Sequence, residues 1–334
     1  MTQINDFGTT PQGTKVQSVD IAGGDLRARF LTYGACLNDL RMAGVDHPLT
    51  PGSPELAAYL GPLAYHGTLI GPVANRIRGA SVVIDGAEFQ LPRHDGQNFT
   101  LHSGPRGTQF KLWDIADYGP DFVEFSITLP DCCDGFPGNR VVQARFQLQG
   151  NNLSMTITAH SDEPTAFNFA NHSFWTLDPT PGFRGQTLRI AADHVTDVND
   201  MLCPTGQQKP VDQAGLDFRN PRVLAGSDAE FIDHNFCTAP TRQPLRDVAV
   251  LTGRQSGVSM TMASSEPGLQ VYDCGTIECT GFKTHHGVDY PLYHALALEA
   301  QNWPDATTHA GFPSAITTPG VPYVQTTCWR FDKN

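Results

Sequence analysis

The sequence predicts an all-β protein, a large antiparallel β-sandwich, on three observations. Apolar and polar residues alternate with period 2 wherever any periodicity is visible, the pattern of a strand with one buried face. Helical repeats are scarce, and residues 54–59 suffice for a single turn only. The 32 glycines and 25 prolines are spread without a period and punctuate short apolar runs, as turns between strands do. Many short strands with turns at regular intervals argue for a sandwich.

In chain order, strands are expected over residues 16–21 and 26–33. Residues 122–129 follow, with Val123, Phe125, Ile127 and Leu129 on one face. Residues 141–149 and 153–159 flank Gly150-Asn151-Asn152 and read as a hairpin, the second arm burying Leu153, Met155, Ile157 and Ala159. Shorter strands are expected over 188–190, 257–262, 269–272 and 295–298. No Pro/Ser-rich linker or composition shift divides the chain, so residues 1–334 are read as one domain. With 334 residues and 40% hydrophobic content, that domain can bury a large core.

Charge narrows the partners. The chain has 22 basic and 34 acidic residues, a formal net of −12, and no basic cluster. Neither nucleic acid nor an anionic membrane surface is an expected partner. A heavily phosphorylated substrate is disfavoured too, whereas a neutral ligand is compatible. The N-terminal residues lack a basic region followed by an apolar one, and no run approaches the roughly 20 apolar residues of a membrane span. A soluble, cytoplasmic protein is expected. Its eight cysteines should then be reduced thiols, and with no CxxC pair a structural zinc site is not expected. The Cys132-Cys133 turn should be exposed.

Four stretches are denser in polar and aromatic residues than strand packing needs. Residues 71–79 carry Asn75 and Arg76, whose donors suit adjacent hydroxyls, although a turn with a surface arginine reads the same way. Residues 99–104 place His102 at a strand end beside glycine. Residues 167–175 set His172 among aromatics, where burial favours neutral imidazole unless an acid is near. Residues 297–304 put Glu299 at the end of an apolar strand, a costly place for an unpaired carboxylate. A weaker fifth stretch, residues 231–236, offers Asp233 as a hydroxyl acceptor or a turn cap.

Taken in order, these stretches resemble the galactose mutarotase (aldose 1-epimerase) family. The matching motifs are ANRI at 74–77, LHSG at 101–104 with Gly107 and Trp113 downstream, and NHSF at 171–174. DHNF at 233–236, GLQVY at 268–272 and LEAQNWPDA at 298–306 follow, and residues 32–35 fit as well. The resemblance implies the family's large twisted sandwich of mostly antiparallel strands, with the site in an open cleft. It implies that Glu299 is the general base for the anomeric hydroxyl and His172 the general acid for the ring oxygen. His102 corresponds to the histidine that orients the sugar near C1 and O5. Arg76, Asn75, Asp233 and Gln270 match hydroxyl-binding positions. A free monosaccharide is the implied partner, with no cofactor and no metal, and the chain could be a monomer or a homodimer.

The chemistry accounts for these residue types. Opening a cyclic hemiacetal removes a proton from O1 and delivers one to O5, so a base and an acid must flank the anomeric carbon, each transfer contributing roughly 10²–10⁴-fold. Reclosure on the other face reverses both steps. The starting complex therefore needs Glu299 ionised and His172 protonated, and a nearby carboxylate is expected to raise the histidine pKa. Three departures bear on sugar specificity: Trp175 in place of a smaller aromatic, Thr176 where asparagine is frequent, and Gly71-Pro72 in place of Gly-Arg.

Four alternatives remain. A hexose-6-phosphate 1-epimerase would need basic residues for the phosphate, and the low Lys/Arg count opposes it. A glycoside hydrolase would need a second carboxylate facing Glu299, for which Asp233 is the available residue. A non-catalytic sugar-binding protein could dispense with Glu299 or His172, and both are present. A metal bound by His102 and His172 is the fourth.

Overall fold

Alternation along the sequence becomes a nine-stranded antiparallel sheet that carries most of the core. The computed structural model describes residues 2–227 and 231–333. The sheet runs from Asp114–Tyr118 through Phe122–Leu129, Arg140–Gln149, Asn152–Ser161 and Tyr323–Lys333 to Val258–Ser264 and Arg246–Thr252, ending on Thr187–Ile190 and Arg222–Val223. The expected hairpin is present, with Leu148 opposite Leu153 and Gly150 at φ +61° in the turn. Its arms bury alternate residues, as the period-2 reading requires.

Two further sheets pack against this one. The first, Gln3–Thr9, Lys15–Gly23, Leu26–Leu31 and Cys36–Met42, brings Phe30 to 4.5 Å from Phe146 and 6.4 Å from Phe125, measured between ring centroids. The second orders Phe174–Trp175, Leu296–Gln301, Gly268–Tyr272, Asp233–Cys237, His194–Val198 and Pro204–Pro210. Trp175 reaches from it to Trp329 and Phe331 of the large sheet, at 5.8 and 5.6 Å. The only α-helix among the described residues is the single turn Leu56–Tyr59. No described helix is long and apolar enough to cross a membrane.

Some boundaries differ from expectation for clear reasons. The strand expected to run to residue 33 stops at Leu31, because Gly34 and Ala35 turn through φ +69° and +44°. The strand expected over 295–298 runs from Leu296 to Gln301, so Glu299 lies inside it. Both neighbours of that strand are paired and both its faces are buried. It therefore reads as a continuous apolar run, and the carboxylate within it resembles an end signal.

The departures noted in the sequence also find their places. Strand alternation turns Phe174 and Trp175 to opposite faces, and Trp175 belongs to the core. Thr176 is buried, its hydroxyl donating to the Gly182 carbonyl. A Cβ on Gly71 would lie 2.1 Å from a ring carbon of Phe169, so glycine is required there. Packing constrains all three positions. Cys132 is exposed as expected, Cys133 is half-buried, and all eight thiols are free.

Candidate active site

Two short strands and their flanking residues build one wall. Arg76–Arg78 pairs with Phe99–Leu101, Arg76 opposite Leu101, which places Asn75 across from His102. Both residues turn through left-handed backbone, at φ +63° and +53°. Asparagine tolerates that region and histidine adopts it less readily, so the surrounding bonds must hold it. The His102 N–H donates to the Asn75 carbonyl, and the Asn75 N–H donates to His102 Nδ1, each at 3.0 Å. Ser103 Oγ accepts from the Val73 N–H and donates to its carbonyl, while Gln109 Nε2 donates to the His102 carbonyl. Since Nδ1 accepts, neutral His102 carries its proton on Nε2. Burial, His172 and Arg76 hold its pKa well below the usual value, so it is a neutral N–H donor.

The middle of the six-stranded sheet supplies the opposite wall. Register sets Gln270 beside Glu299 and Asp233 beside Tyr272, and period 2 turns Asp233, Gln270 and Glu299 to one face. Gln270 Nε2 donates to Asp233 Oδ1 at 2.6 Å, and Arg76 Nη1 stands 3.5 Å from Asp233 Oδ2. His172 follows the strand Ala170–Asn171, its N–H donating to Thr68 and its carbonyl accepting from Gly67. The ring sits between Tyr65, His102 and Phe174, with Nε2 3.6 Å from Glu299 Oε1. His172 Nδ1 and Glu299 Oε2 are buried and have no hydrogen-bond partner among the described residues.

All seven residues singled out in the sequence line one cavity of about 370 Å³: Asn75, Arg76, His102, His172, Asp233, Gln270 and Glu299. The same cavity is walled by Tyr65, His94, Phe231, Tyr272 and Ile277, which the sequence reading did not assign to the site. Tyr272 was within reach of that reading, because it lies two residues from Gln270 on the same strand face. Tyr65 comes from a loop with no motif of its own, and only its proximity to His102 and His172 reveals it.

Electrostatics corrects one expectation. The carboxylate beside His172 does not raise its pKa; burial lowers the value to about 4, with only a backbone hydrogen bond opposing. Glu299 moves well above the ordinary glutamate range, through burial first and repulsion from Asp233 second, with Arg76 opposing. Among the described residues, Glu299 Oε2 has no donor and His172 Nδ1 no acceptor, so burial favours the neutral form of each. The pair still holds one proton, on the carboxyl instead of the imidazole. Among the described residues, the trio of His, Cys, Asp or Glu side chains close enough to share an ion is His66, Cys274 and His294, and none of them lines the cavity.

The family model described as aldose 1-epimerase matches residues 17–328. Galactose mutarotase of Bos taurus is 31% identical over 337 aligned residues, covering 97% of each chain. Aldose 1-epimerase of Streptococcus thermophilus is 32% identical over 75% of this chain and 74% of its own length. Maltose epimerase of Levilactobacillus brevis is 28% identical over 97% and 94%. Among solved structures, an aldose epimerase homologue from C. elegans superposes with a TM-score of 0.86 at 27% identity, covering 94% of this chain and 98% of that one.

Proposed function

The chain belongs to the aldose 1-epimerase family, and from that premise we propose that the cavity interconverts the α and β anomers of a free aldose of the galactose or glucose type. The enzyme is an isomerase. The observation that carries the residue assignment is the pairing of His172 Nε2 with Glu299 Oε1 at 3.6 Å inside a sugar-sized cavity. Side by side, the two can reach the anomeric hydroxyl and the ring oxygen of one carbon, which is what ring opening demands.

The steps follow from the proton inventory. Sugar hydroxyls entering the cavity donate to Glu299, which favours its ionised form, and the carboxyl proton passes to His172 Nε2. Glu299 then accepts the O1 proton as His172 protonates O5. The C1–O5 bond breaks and O1 becomes the aldehyde oxygen. After rotation about C1–C2, O5 attacks the other face, returns its proton to His172, and O1 regains the proton held by Glu299. His102 Nε2–H donates to an oxygen near C1. The Arg76–Asp233–Gln270 chain and Asn75 fix the remaining hydroxyls.

Polarimetry of freshly dissolved α-galactose and α-glucose tests the activity. Purified protein should speed the approach to an unchanged final rotation. No acceleration on either sugar, nor on pentoses or hexose 6-phosphates, would leave a sugar-binding role instead; acceleration of the phosphates alone would favour the hexose-6-phosphate reading.

The charges around Glu299 make a paired pH prediction. Asp233 raises its pKa and Arg76 lowers it. The alkaline limb of kcat/KM, which reports the free enzyme and marks where the pair loses its one proton from Glu299, should move to lower pH in Asp233→Asn and to higher pH in Arg76→Gln. Both variants should also raise KM. Limbs that stay put, or move the same way, would remove Glu299 as the titrating base.

A further inference from the structure

We propose that His66, Cys274 and His294 form a binding site for a borderline transition-metal ion of the zinc class, one layer behind the wall of the sugar cavity. All three side chains are buried, and their donor atoms lie within 4.8 Å of one another. His66 Nε2 is 2.9 Å from His294 Nε2, and Cys274 Sγ is 3.7 Å from that same nitrogen. Zinc bonds of about 2.0–2.1 Å to nitrogen and 2.3 Å to sulfur set tetrahedral donors roughly 3.3–3.6 Å apart. These two separations bracket that range and all three donors lie within 4.8 Å, so ring movements of under an ångström or so bring them around one ion. Two imidazoles and a thiolate are the donor set of zinc and copper sites.

Two observations beyond the clustering support the assignment. His294 Nδ1 lies 2.8 Å from the Pro291 carbonyl, and donating to it leaves the Nε2 lone pair turned towards the trio. Metal-binding histidines are oriented by such a backbone acceptor. His66 Nδ1, in turn, is buried with no partner among the described residues. In the free protein the His66 Nε2–H donates to His294 Nε2, and the thiol has only long contacts, 3.6 and 3.7 Å to the His294 ring nitrogens and 3.8 Å to the Ile277 carbonyl. The thiol and His66 Nδ1 are thus poorly satisfied where an apolar core would serve packing alone.

Binding balances simply. The thiol proton leaves to solvent, the His66 proton moves from Nε2 to the unpartnered Nδ1, and His294 needs no change. One proton is released per divalent ion, and nothing is oxidised. Ile277 stands between the trio and the sugar cavity, since it lines the cavity and its carbonyl faces Cys274. Phe174 stacks on His66 at 3.9 Å and on His172 at 5.0 Å, so the ion would sit one ring behind the proposed acid.

The test is a titration of chelator-treated, full-length protein with Co²⁺, whose thiolate complexes show a strong near-ultraviolet charge-transfer band. One ion per chain, a band displaced by Zn²⁺, and release of about one proton per ion in calorimetry across buffers are the expected results. Cys274→Ser, nearly isosteric, should lose the band while keeping sugar turnover, which certifies its fold. A Cys132→Ser, Cys133→Ser double variant should keep the band. No stoichiometric Co²⁺ binding to the wild-type chain, or a band that survives in Cys274→Ser, would overturn the site.

Discussion

Glu299→Gln lowers kcat by roughly 10³-fold or more, since it removes the base at nearly constant volume and each such proton transfer is worth about 10²–10⁴-fold. The fold should not suffer. Burial already keeps Glu299 neutral, and glutamine copies a neutral carboxyl in size. Stability adds a second readout with a definite sign. A carboxyl whose pKa is raised on folding contributes its stability below the ordinary value of 4.5 and loses it as pH rises towards the folded value. The variant carries no such term. Its melting temperature at pH 7 should therefore equal or exceed that of the wild type, and the gap should close as pH falls to about 4.5. Polarimetric kcat together with thermal melts at several pH values checks both parts. Near wild-type turnover would remove Glu299 from the mechanism.

His172→Asn should cost about 10²–10⁴-fold in kcat by removing the acid that protonates O5. His102 is poorly placed to substitute, because Asn75 occupies its Nδ1 and its pKa is held down. A loss of only a few-fold would nevertheless transfer the acid role to His102. The linkage here has the opposite sign. A histidine lowered from 6.5 to about 4 contributes stability above pH 6.5 that is lost as pH falls through the folded value. At about 1.36 kcal/mol per unit this is on the order of 3 kcal/mol for a fully buried ring. Wild type should lose that much more than the variant between pH 6.5 and 4, measured by denaturant unfolding at each end. Equal acid sensitivity of the two proteins would mean that His172 titrates normally.

How far the sequence reached depended on whether a signal was local. Alternation in 141–149 and 153–159 needs only neighbouring residues, and both strands formed and pair as a hairpin, closed by a two-residue turn where three residues were expected. The run 295–298 was legible as a strand but not as a central one, because pairing on both edges is a property of its neighbours. The absence of CxxC speaks to one kind of zinc ligand set only. It was silent about His66, Cys274 and His294, which approach from separate segments.

Sequence by itself determined the strand-rich class, since period 2 fixes which face of each strand can be buried. It also determined which seven polar residues share one cavity, since their motifs arrive in family order. The tertiary structure alone decided that Trp175 faces the core, that Tyr65 faces the site, and where the shared proton rests. Side-chain direction is local, whereas desolvation sums over atoms from every part of the chain. Burial by Tyr65, Phe174 and the central strands is what drives His172 down and Glu299 up, and no spacing along the chain encodes it.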